Sequence, residues 1–489
     1  MLESREATAR RTEGAGAAHK WLVIGAVSIS TAMIPMEDTM VNVALPILAR
    51  VFDVTLTQII WVQLAYMLTA TGLMLTWGRL GDTMGRRRMY LAGFIVYAVG
   101  LISSSLAQDF FHLVASRILQ AIGAAMATAM GTAITAAAFP SQERGKALGI
   151  IQATIGAGLT TGPALGGLLI DTLGWRSIFW IRIPLALLGI ALGWIALPKE
   201  SDPPRRSVKM DIRGAATLFL GVSALILAIN QGQARGWTSP LVMAMSAMAP
   251  TMLFLFLFAE KGAKNPVLNL KFFRVPAFAG ASTSLFLRFL ALRGFMLLMP
   301  FYLIQARGYA PATTGLIITA MPLTMVIVSP FSGWLSDRVG TRPLSVGGLA
   351  LMCLGLFAAA NLDQGSSVVD VLLRLLVIGI GGSIFETPTN SALMGSVPRD
   401  QFGTAAAMTA TSRTLGQTTG LAAAGTIFAA RQLFYTQQLA GNVSNADTVA
   451  VLAFIGGFHD TILVGLGIGV LALLAAFFGG GRRSPPPTA

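Results

Sequence analysis

The organisation of this chain is indicated by a stretch that occurs twice, as Gly78-Arg-Leu-Gly-Asp82-Thr-Met-Gly85-Arg86-Arg87-Arg88 and as Gly333-Trp-Leu-Ser-Asp337-Arg338-Val-Gly340-Thr-Arg342. Each copy follows the second apolar segment in a group of six such segments. Glycines at these positions allow a tight turn between two helices, and the aspartate can cap a helix or pair with a nearby arginine. A loop repeated in the same place predicts two six-helix halves, as in transporters built from internal repeats.

The composition around these loops is that of a polytopic membrane protein. Of the 489 residues, 54% are hydrophobic and 11% are charged, whereas a soluble chain carries about 25% charged residues. An ordinary cytosolic enzyme is therefore excluded. Fourteen apolar segments approach the roughly 20 residues needed to cross a bilayer. They lie at approximately 21–45, 57–77, 89–107, 111–138, 147–170, 178–197, 212–231, 240–259, 277–303, 312–334, 343–361, 367–395, 402–430 and 459–480.

The order of the segments predicts an all-α integral membrane protein with fourteen spans, divided into five regions. These are a cytoplasmic N-terminal tail (1–20), a six-helix half (21–198), a linker with two inserted transmembrane helices (199–276), a second six-helix half (277–480) and a cytoplasmic tail (481–489). The apolar segment after residue 20 has the length of a span, so no cleaved signal peptide is expected.

The net charge of +14 is explained by membrane topology and requires no nucleic-acid partner. With both termini in the cytoplasm, most basic loop residues fall on the inner side, as the positive-inside rule demands. Attraction of these inner loops to anionic lipid headgroups is a secondary consequence. The outer loops receive only Arg50, Arg176, Arg235, Arg307 and Arg431.

The sequence carries no residue set that predicts catalysis, a metal site or a cofactor. Cys353 is the only cysteine, and His19, His112 and His459 are widely separated, so neither a disulfide framework nor a metal cluster is expected. A G-x-x-x-x-G-K-[ST] nucleotide loop is also missing. A membrane-embedded enzyme would need a nucleophile–base pair or a metal cluster at membrane depth, and the sequence shows neither.

The fifth apolar segment contains a regular series of small residues. Gly158, Gly162 and Gly166 recur every four residues, so they form one smooth stripe for close helix packing. Pro163 removes a backbone hydrogen bond and is expected to bend the helix. The complete series is Gly149, Gly158, Gly162, Pro163, Gly166 and Gly167.

These motifs resemble those of the major facilitator superfamily. The repeated loop is similar to that family's signature loop, and the Gly–Pro series is similar to the motif of its exporters, as opposed to importers. The first segment, Glu37-Asp38-Thr39-Met-Val-Asn42-Val-Ala-Leu45-Pro46, resembles the D-x-T-[IV]-V-N-V-A-L-P signature of the drug:proton antiporters, including their fourteen-span subfamily. Arg117-Ile-Leu-Gln120-Ala-Ile-Gly123 resembles their R-x-x-Q-G motif, and the resemblance extends from about residue 20 to 480.

The chain departs from the family pattern at four positions. Thr83 stands where the first loop usually has a basic residue, and Ala121 replaces a glycine. Arg182 replaces the usual asparagine of a W-R-x-x-F-x-x-N-x-P stretch, and Glu37 adds a second acid beside Asp38. The family assignment tolerates these changes, but they bear on coupling and substrate.

Charged residues within apolar segments are costly in a membrane and therefore mark functional sites. In the fold that the resemblance implies, spans one, four, nine and twelve line a central cavity. Polar residues on these spans complete the predicted cavity set, which contains Asn42, Gln120, Arg288, Arg293, Arg374 and Asn390 beside the coupling candidates Asp38, Glu37, Arg117 and Glu386. The predicted gating loops are represented by Gly78, Asp82, Gly85 and Arg86 and by Gly333, Asp337, Arg338 and Gly340.

Proton coupling requires a carboxylate that binds a proton on one side of the membrane and releases it on the other. We predict Asp38 as the first proton site and Arg117 as its modulator, because the helical rise places both at a similar depth. Either Glu37 or Glu386 would be the second carboxylate. Two alternatives stay open: Asp38 as a helix cap or permanent ion-pair partner, and Glu386 as a structural residue near the end of its span.

Three further arginines have less defined roles. Arg288 and Arg293 are about 140° apart on a helix and cannot share one face. Interhelical hydrogen bonding is their expected use, and contact with an anionic substrate is the alternative. Arg413 lies outside the cavity set and is expected to be structural.

The resemblance implies proton-coupled export of hydrophobic or amphipathic small molecules from a bacterial cell across its inner membrane. One half would rock against the other in an alternating-access cycle. An exporter of a dedicated metabolite or lipid and a proton-coupled importer are the alternatives, and the Gly–Pro series disfavours import. The expected partners are the substrate, protons and membrane lipids. The family implies a monomer, and participation of a periplasmic adaptor is left open.

Overall fold

The computed structural model describes residues 2–139, 143–197, 212–262, 270–398, 401–440 and 445–479. Over these ranges the chain is helical. The α-helices are α1 (Leu2–Val51), α2 (Leu56–Ile59), α3 (Trp61–Met84), α4 (Arg86–Ser105), α5 (Phe110–Ala138), α6 (Arg144–Leu173), α7 (Ser177–Trp180), α8 (Ile183–Ala196), α9 (Ile212–Arg235), α10 (Pro240–Gly262), α11 (Pro276–Phe301), α12 (Pro311–Val339), α13 (Thr341–Ala359), α14 (Val368–Gly395), α15 (Phe402–Leu439) and α16 (Ala446–Gly479). A 3-10 turn (Leu270–Arg274) precedes α11, and a π-helical turn (Tyr302–Ala306) follows it.

Each of the fourteen predicted apolar segments coincides with helical structure. Twelve helical stretches within the described ranges are long and apolar enough to cross a membrane, so this is a multi-pass membrane protein. The two predicted segments outside that set are α9, whose apolar part is the shorter stretch Ala216–Gly232, and α15, which carries Arg413 and Arg431 among many threonines and glutamines. The fourteen-span count therefore stays a proposal.

The predicted N-terminal tail is helical from Leu2 onward. Helix α1 begins at Leu2 and continues without interruption through the first span. Residues 2–20 contain no proline and are rich in alanine, which favours helix formation. With 50 residues, α1 is about 75 Å long, more than twice the ~30 Å hydrocarbon thickness. The predicted linker residues 199–211 and the C-terminal tail 481–489 lie outside the described residues.

The repeated loops form the tight turns that the sequence predicts. Gly85 separates α3 from α4 with φ of 100°, and Gly340 separates α12 from α13 with φ of 96°. Positive φ at these angles is accessible to glycine at little cost. The same residue type therefore separates the corresponding two helices in both copies of the repeated loop.

Two compact units are present. The first contains residues 1–39, 69–162 and 173–210, and the second contains residues 40–68, 163–172 and 211–489. In the first, α4 packs on α5 so closely that a methyl group at Gly123 would overlap the Tyr97 backbone. In the second, α13 packs on α14 in the same way, since a methyl group at Gly381 would overlap the Met352 backbone. Cys353, which follows Met352 in α13, is buried beside Gly469 of α16.

Candidate functional site

A buried ion cluster in the first unit centres on Glu37. Tyr97 of α4 donates a 2.6 Å hydrogen bond to Glu37 Oε2, and Arg182 Nη1, just before α8, lies 3.0 Å from the same oxygen. Arg117 of α5 forms an ion pair with Glu37 Oε1. Three segments of the chain therefore converge on a carboxylate carried by a fourth.

The Glu37 cluster is sealed and carries more positive than negative charge. The side chains of Glu37, Arg117 and Arg182 are at most 1% exposed. Arg117 also donates a 2.7 Å hydrogen bond to the predicted cavity residue Gln120, and Arg182 Nε donates one of 2.7 Å to the Ile178 carbonyl. Such bonds offset part of the cost of burying charge, because each guanidinium retains acceptors after losing water.

A second ion cluster lies in the second unit and centres on Glu386 of α14. Arg288 Nη1 of α11 lies 2.9 Å from Glu386 Oε2, and Arg413 Nη2 of α15 lies 2.8 Å from Glu386 Oε1. The Phe289 ring is within cation–π range of both arginines, with centroid distances of 4.4 Å to Arg288 and 5.3 Å to Arg413. The interhelical bond predicted for Arg288 is confirmed.

In the two clusters, the glutamate and one arginine occupy exchanged positions. In the first half, the glutamate is on the first span and an arginine is on the fourth. In the second half, an arginine is on the first span and the glutamate is on the fourth. Each unit thus joins two of its spans by a buried Glu–Arg pair and adds a second arginine, which precedes α8 in one unit and lies on α15 in the other.

Asp38, the predicted first proton site, is partly exposed beside the buried Glu37. Arg117, predicted as the partner of Asp38, has its ion pair with Glu37. One turn further along α1, Asn42 donates a 2.8 Å hydrogen bond to the Met296 carbonyl of α11.

The remaining predicted cavity residues are dispersed. Arg293 Nη2 contacts Met67 Sδ at 3.6 Å. Arg374 donates a 2.9 Å hydrogen bond to the Ala358 carbonyl and pairs with Asp370 at 3.2 Å, which links the end of α13 to the start of α14. Asn390 Oδ1 is buried and accepts no hydrogen bond from the part of the chain that is described.

The glycine series of α6 forms the packing stripe predicted from its spacing. A methyl group would overlap the Ala32 carbonyl at Gly158, Thr39 Oγ1 at Gly162, and the Pro311 carbonyl at Gly167; at Gly166 it would lie 3.0 Å from Met40 Cα. Gly149, by contrast, has no atom within 4 Å of that position. Pro163 lies inside the helix as predicted, and its carbonyl would meet a methyl group at Gly315 of α12.

Among the predicted gating residues, the second loop is described more fully than the first. Asp337 and Arg338 are exposed, and the Arg338 guanidinium lies 4.0 Å from the centroid of the Trp334 ring. Gly78 and Gly333 lie within α3 and α12, and Arg86 begins α4. The Asp82 side chain lies outside the described residues.

Three residues of the two clusters were not among the predicted site residues: Arg182, Arg413 and Tyr97. Arg182 was visible only as a departure from a family motif, and Arg413 as an arginine on a span outside the cavity set. For Tyr97, the sequence carries no signal, because a tyrosine in an apolar helix is common in any membrane protein.

A duplicated, all-helical membrane chain with charged side chains buried between its spans is typical of secondary transporters. A model of the Major Facilitator Superfamily matches residues 27–420 and, in a second match, residues 281–488. The chain belongs to this superfamily.

Several relatives resemble this chain over most of its length. The riboflavin transporter RibZ of Clostridioides difficile is 32% identical over 430 residues, covering 87% of this chain and 91% of RibZ. The multidrug resistance protein Stp of Mycobacterium tuberculosis is 34% identical over 410 residues, covering 84% and 76%. The multidrug transporter protein MdtP of Bacillus subtilis is 27% identical over 411 residues, covering 84% and 75%.

The fold is also similar to that of a solved structure. A bacterial homologue of the human lysosomal transporter Spinster, crystallised in an inward-facing and unoccupied conformation, aligns with a TM-score of 0.68 and 14% identity. The alignment covers 96% of this chain and 99% of that chain. At this identity the similarity establishes the fold.

Proposed function

We propose that this protein is a proton-coupled exporter of hydrophobic or amphipathic small molecules, with fourteen spans and both termini in the cytoplasm of a bacterial cell. The observation that carries the proposal is the Glu37 cluster, in which one carboxylate is held by Tyr97 and two guanidiniums at membrane depth. Relatives named as multidrug resistance or multidrug transporter proteins support this class of substrate. The protein acts as a monomer in the inner membrane.

The clusters give each half a way to respond to a proton. Protonating Glu37 removes the charge that attracts Arg117 and Arg182 to it, and this loss of attraction is large at low dielectric. The helices that carry these residues then separate or recruit another anion, and the half moves. Asp38 is partly exposed and adjoins Glu37, so it is the group that exchanges protons with water. Glu386 provides the equivalent carboxylate in the second half.

The direction of transport is supported by the α6 stripe. Its glycines allow α6 to approach α1 closely, and Gly167 and Gly315 allow the same between α6 and α12. This series resembles the exporter motif in every glycine and in Pro163. A membrane potential of 100 mV contributes about 2.3 kcal/mol per charge moved, which assists a cycle that exchanges protons for substrate.

Export of a dedicated metabolite is the second candidate, because RibZ, which is named as a riboflavin transporter, resembles this chain over 87% of its length. Such an exporter would share the fold and the ion clusters. It would differ in responding to one compound and ignoring a panel of unrelated drugs.

The test uses inverted membrane vesicles with an imposed proton gradient. Lipophilic cations, neutral drugs, organic anions and riboflavin are added one at a time, and collapse of the gradient is followed with a pH-sensitive dye. We expect collapse with several unrelated compounds in the wild type and its loss in Asp38→Asn and Glu37→Gln. The matched control is Asp447→Asn, which changes an exposed carboxylate at the start of α16.

The outcomes separate the candidates. A response to riboflavin alone favours the dedicated exporter. A response that survives both α1 substitutions and is lost in Glu386→Gln moves the proton site to the second half. Absence of any response in a folded, membrane-inserted protein contradicts the proposal.

A further inference from the structure

We propose that Arg413 is an anion-binding residue that selects amphipathic molecules bearing a carboxylate or phosphate group. This inference rests on the proposed transport function and names one class of substrate for it. It begins from charge: the Glu386 cluster contains one carboxylate and two guanidiniums. With Glu386 ionised, one positive charge is left over in a region where an uncompensated charge is costly.

Exposure separates Arg413 from the other members of both clusters. Its side chain is 36% exposed, whereas those of Glu386 and Arg288 are 10% and 7% exposed. In the Glu37 cluster, by contrast, the side chains of Glu37, Arg117 and Arg182 are all buried. The surplus positive charge of the second half is therefore the one that a molecule entering from outside the protein core can reach.

The position of Arg413 within α15 favours exposure to water over exposure to hydrocarbon. Arg413 is the twelfth residue of α15, which places it about 17 Å along the helix axis from Phe402. A guanidinium facing hydrocarbon at such a depth would be strongly unfavourable. An aqueous path through the proposed span removes that cost and also delivers the ligand.

Hydrogen-bonding capacity remains on the arginines. Both oxygens of Glu386 are engaged, one by each arginine. Within the described residues, however, the buried Nε atoms of Arg288 and Arg413 have no hydrogen-bond acceptor. An unsatisfied buried donor costs about 1–3 kcal/mol. The Nε atoms are enclosed, so an incoming carboxylate or phosphate binds the exposed side of the Arg413 guanidinium, since these groups accept hydrogen bonds from a guanidinium fork.

The Phe289 ring indicates the chemistry of the part of the ligand that is not the acidic group. Its ring is within cation–π range of both guanidiniums, and Arg288 also lies 5.9 Å from the centroid of Phe385. The anion therefore binds beside an aromatic surface, which favours a ligand with an apolar or aromatic body attached to the acidic group.

The experiment measures binding to the purified full-length protein, independently of transport. Fluorescein serves as the anionic aromatic probe and ethidium as the cationic one, and fluorescence anisotropy gives a Kd for each. In Arg413→Gln, we expect the ratio of the fluorescein Kd to the ethidium Kd to rise at least tenfold. Arg413→Lys should give an intermediate ratio, since it keeps the charge and loses the fork. It also provides a reading if Arg413→Gln does not fold.

The control is Arg431→Gln. Arg431 is on the same helix, pairs with Asp460 and is similarly exposed, at 40%. This variant therefore shows the effect of removing a positive charge elsewhere on α15. An unchanged ratio in Arg413→Gln, or no fluorescein binding to the wild type, overturns the proposal.

Two further arms identify the source of the anion and separate this proposal from the transport function. In the first arm, fluorescein binding to the wild type is measured in nanodiscs with and without phosphatidylglycerol. If phosphatidylglycerol abolishes the binding, the site belongs to a lipid headgroup and the substrate assignment is overturned. If the binding ratio changes as expected but neither dye crosses wild-type vesicles, the transport proposal fails and the anion site stands.

Discussion

Arg87 donates a 2.7 Å hydrogen bond to the carbonyl oxygen of Trp194, and its guanidinium lies 5.1 Å from the centroid of the same residue's ring. Arg87 is the second residue of α4, and Trp194 is in the last turn of α8. The second half repeats this contact: Arg342, the second residue of α13, donates a 2.5 Å hydrogen bond to the Phe477 carbonyl and lies 4.9 Å from the centroid of its ring. In each half, the helix that follows the repeated loop is therefore held against the C-terminal end of another helix, α4 against α8 and α13 against α16.

We expect Arg342→Gln and Arg87→Gln each to lower the stability of the protein by about 1 kcal/mol, because each removes a charge-assisted hydrogen bond and a cation–π contact at a helix C-terminus. The measurement is thermal unfolding in detergent followed by intrinsic fluorescence. Arg88→Gln is the control, since Arg88 is an exposed neighbour in the same loop. Equal shifts in Arg87→Gln and Arg88→Gln would show that the contact with Trp194 does not stabilise the fold.

The stripe on α6 predicts opposite effects for two glycine substitutions in one helix. Gly158→Ala should destabilise the protein by at least about 1 kcal/mol, because the new methyl group overlaps the Ala32 carbonyl. Gly149→Ala should be neutral or stabilising by about 0.5–1 kcal/mol, since the methyl group enters open space and alanine favours the helix. The measurement is the melting temperature of each variant, compared with that of the wild type. Similar losses in both would contradict the packing role of the stripe.

Tyr97→Phe is expected to weaken the Glu37 cluster while leaving its charges in place. The substitution removes the 2.6 Å hydrogen bond to Glu37 Oε2, and loss of a buried bond to a charged group costs about 1.5–3 kcal/mol. Under the proposed mechanism, drug-driven proton flux should also fall, since the carboxylate loses one of the groups that hold it in place. A change in melting temperature with unaltered flux would restrict Tyr97 to a structural role.

Asn230 is expected to hold the inserted helix α9 in place. It is 1% exposed, accepts a 2.8 Å hydrogen bond from Trp61 Nε1 of α3 and donates one of 3.3 Å to the Thr57 carbonyl. Asn230→Leu should cost about 1–3 kcal/mol by leaving two buried polar groups unsatisfied. Asn361→Leu, at an exposed position, is the comparison. Protease accessibility of α9 and thermal unfolding report the effect, and no difference between the two variants would contradict it.

The fold was predictable from the sequence where the signal is local. The glycines at 85 and 340 end helices through their own backbone conformation, and the stripe at 158, 162 and 166 follows from helical periodicity alone. The continuation of α1 through residues 2–20 reflects their backbone propensity, which the pattern of apolar residues does not show.

The site was predictable only in part, because ion pairing depends on the rotation of each helix as well as on depth. A 1.5 Å rise places Asp38 and Glu37 almost level with Arg117, but adjacent helical residues point 100° apart. Depth therefore could not show that Arg117 pairs with Glu37. The pairing of Arg413 with Glu386 depends on how α15 packs against α14, for which the sequence carries no periodic signal.

The buried thiol of Cys353 is the only one in the chain. A single substitution, Cys353→Ala, therefore yields a thiol-free transporter and removes only the sulfur that packs beside Gly469. Spin labels or fluorophores can then be attached at any chosen pair of positions without background reaction. The motion of each helix during a transport cycle thus becomes directly measurable in the otherwise native molecule.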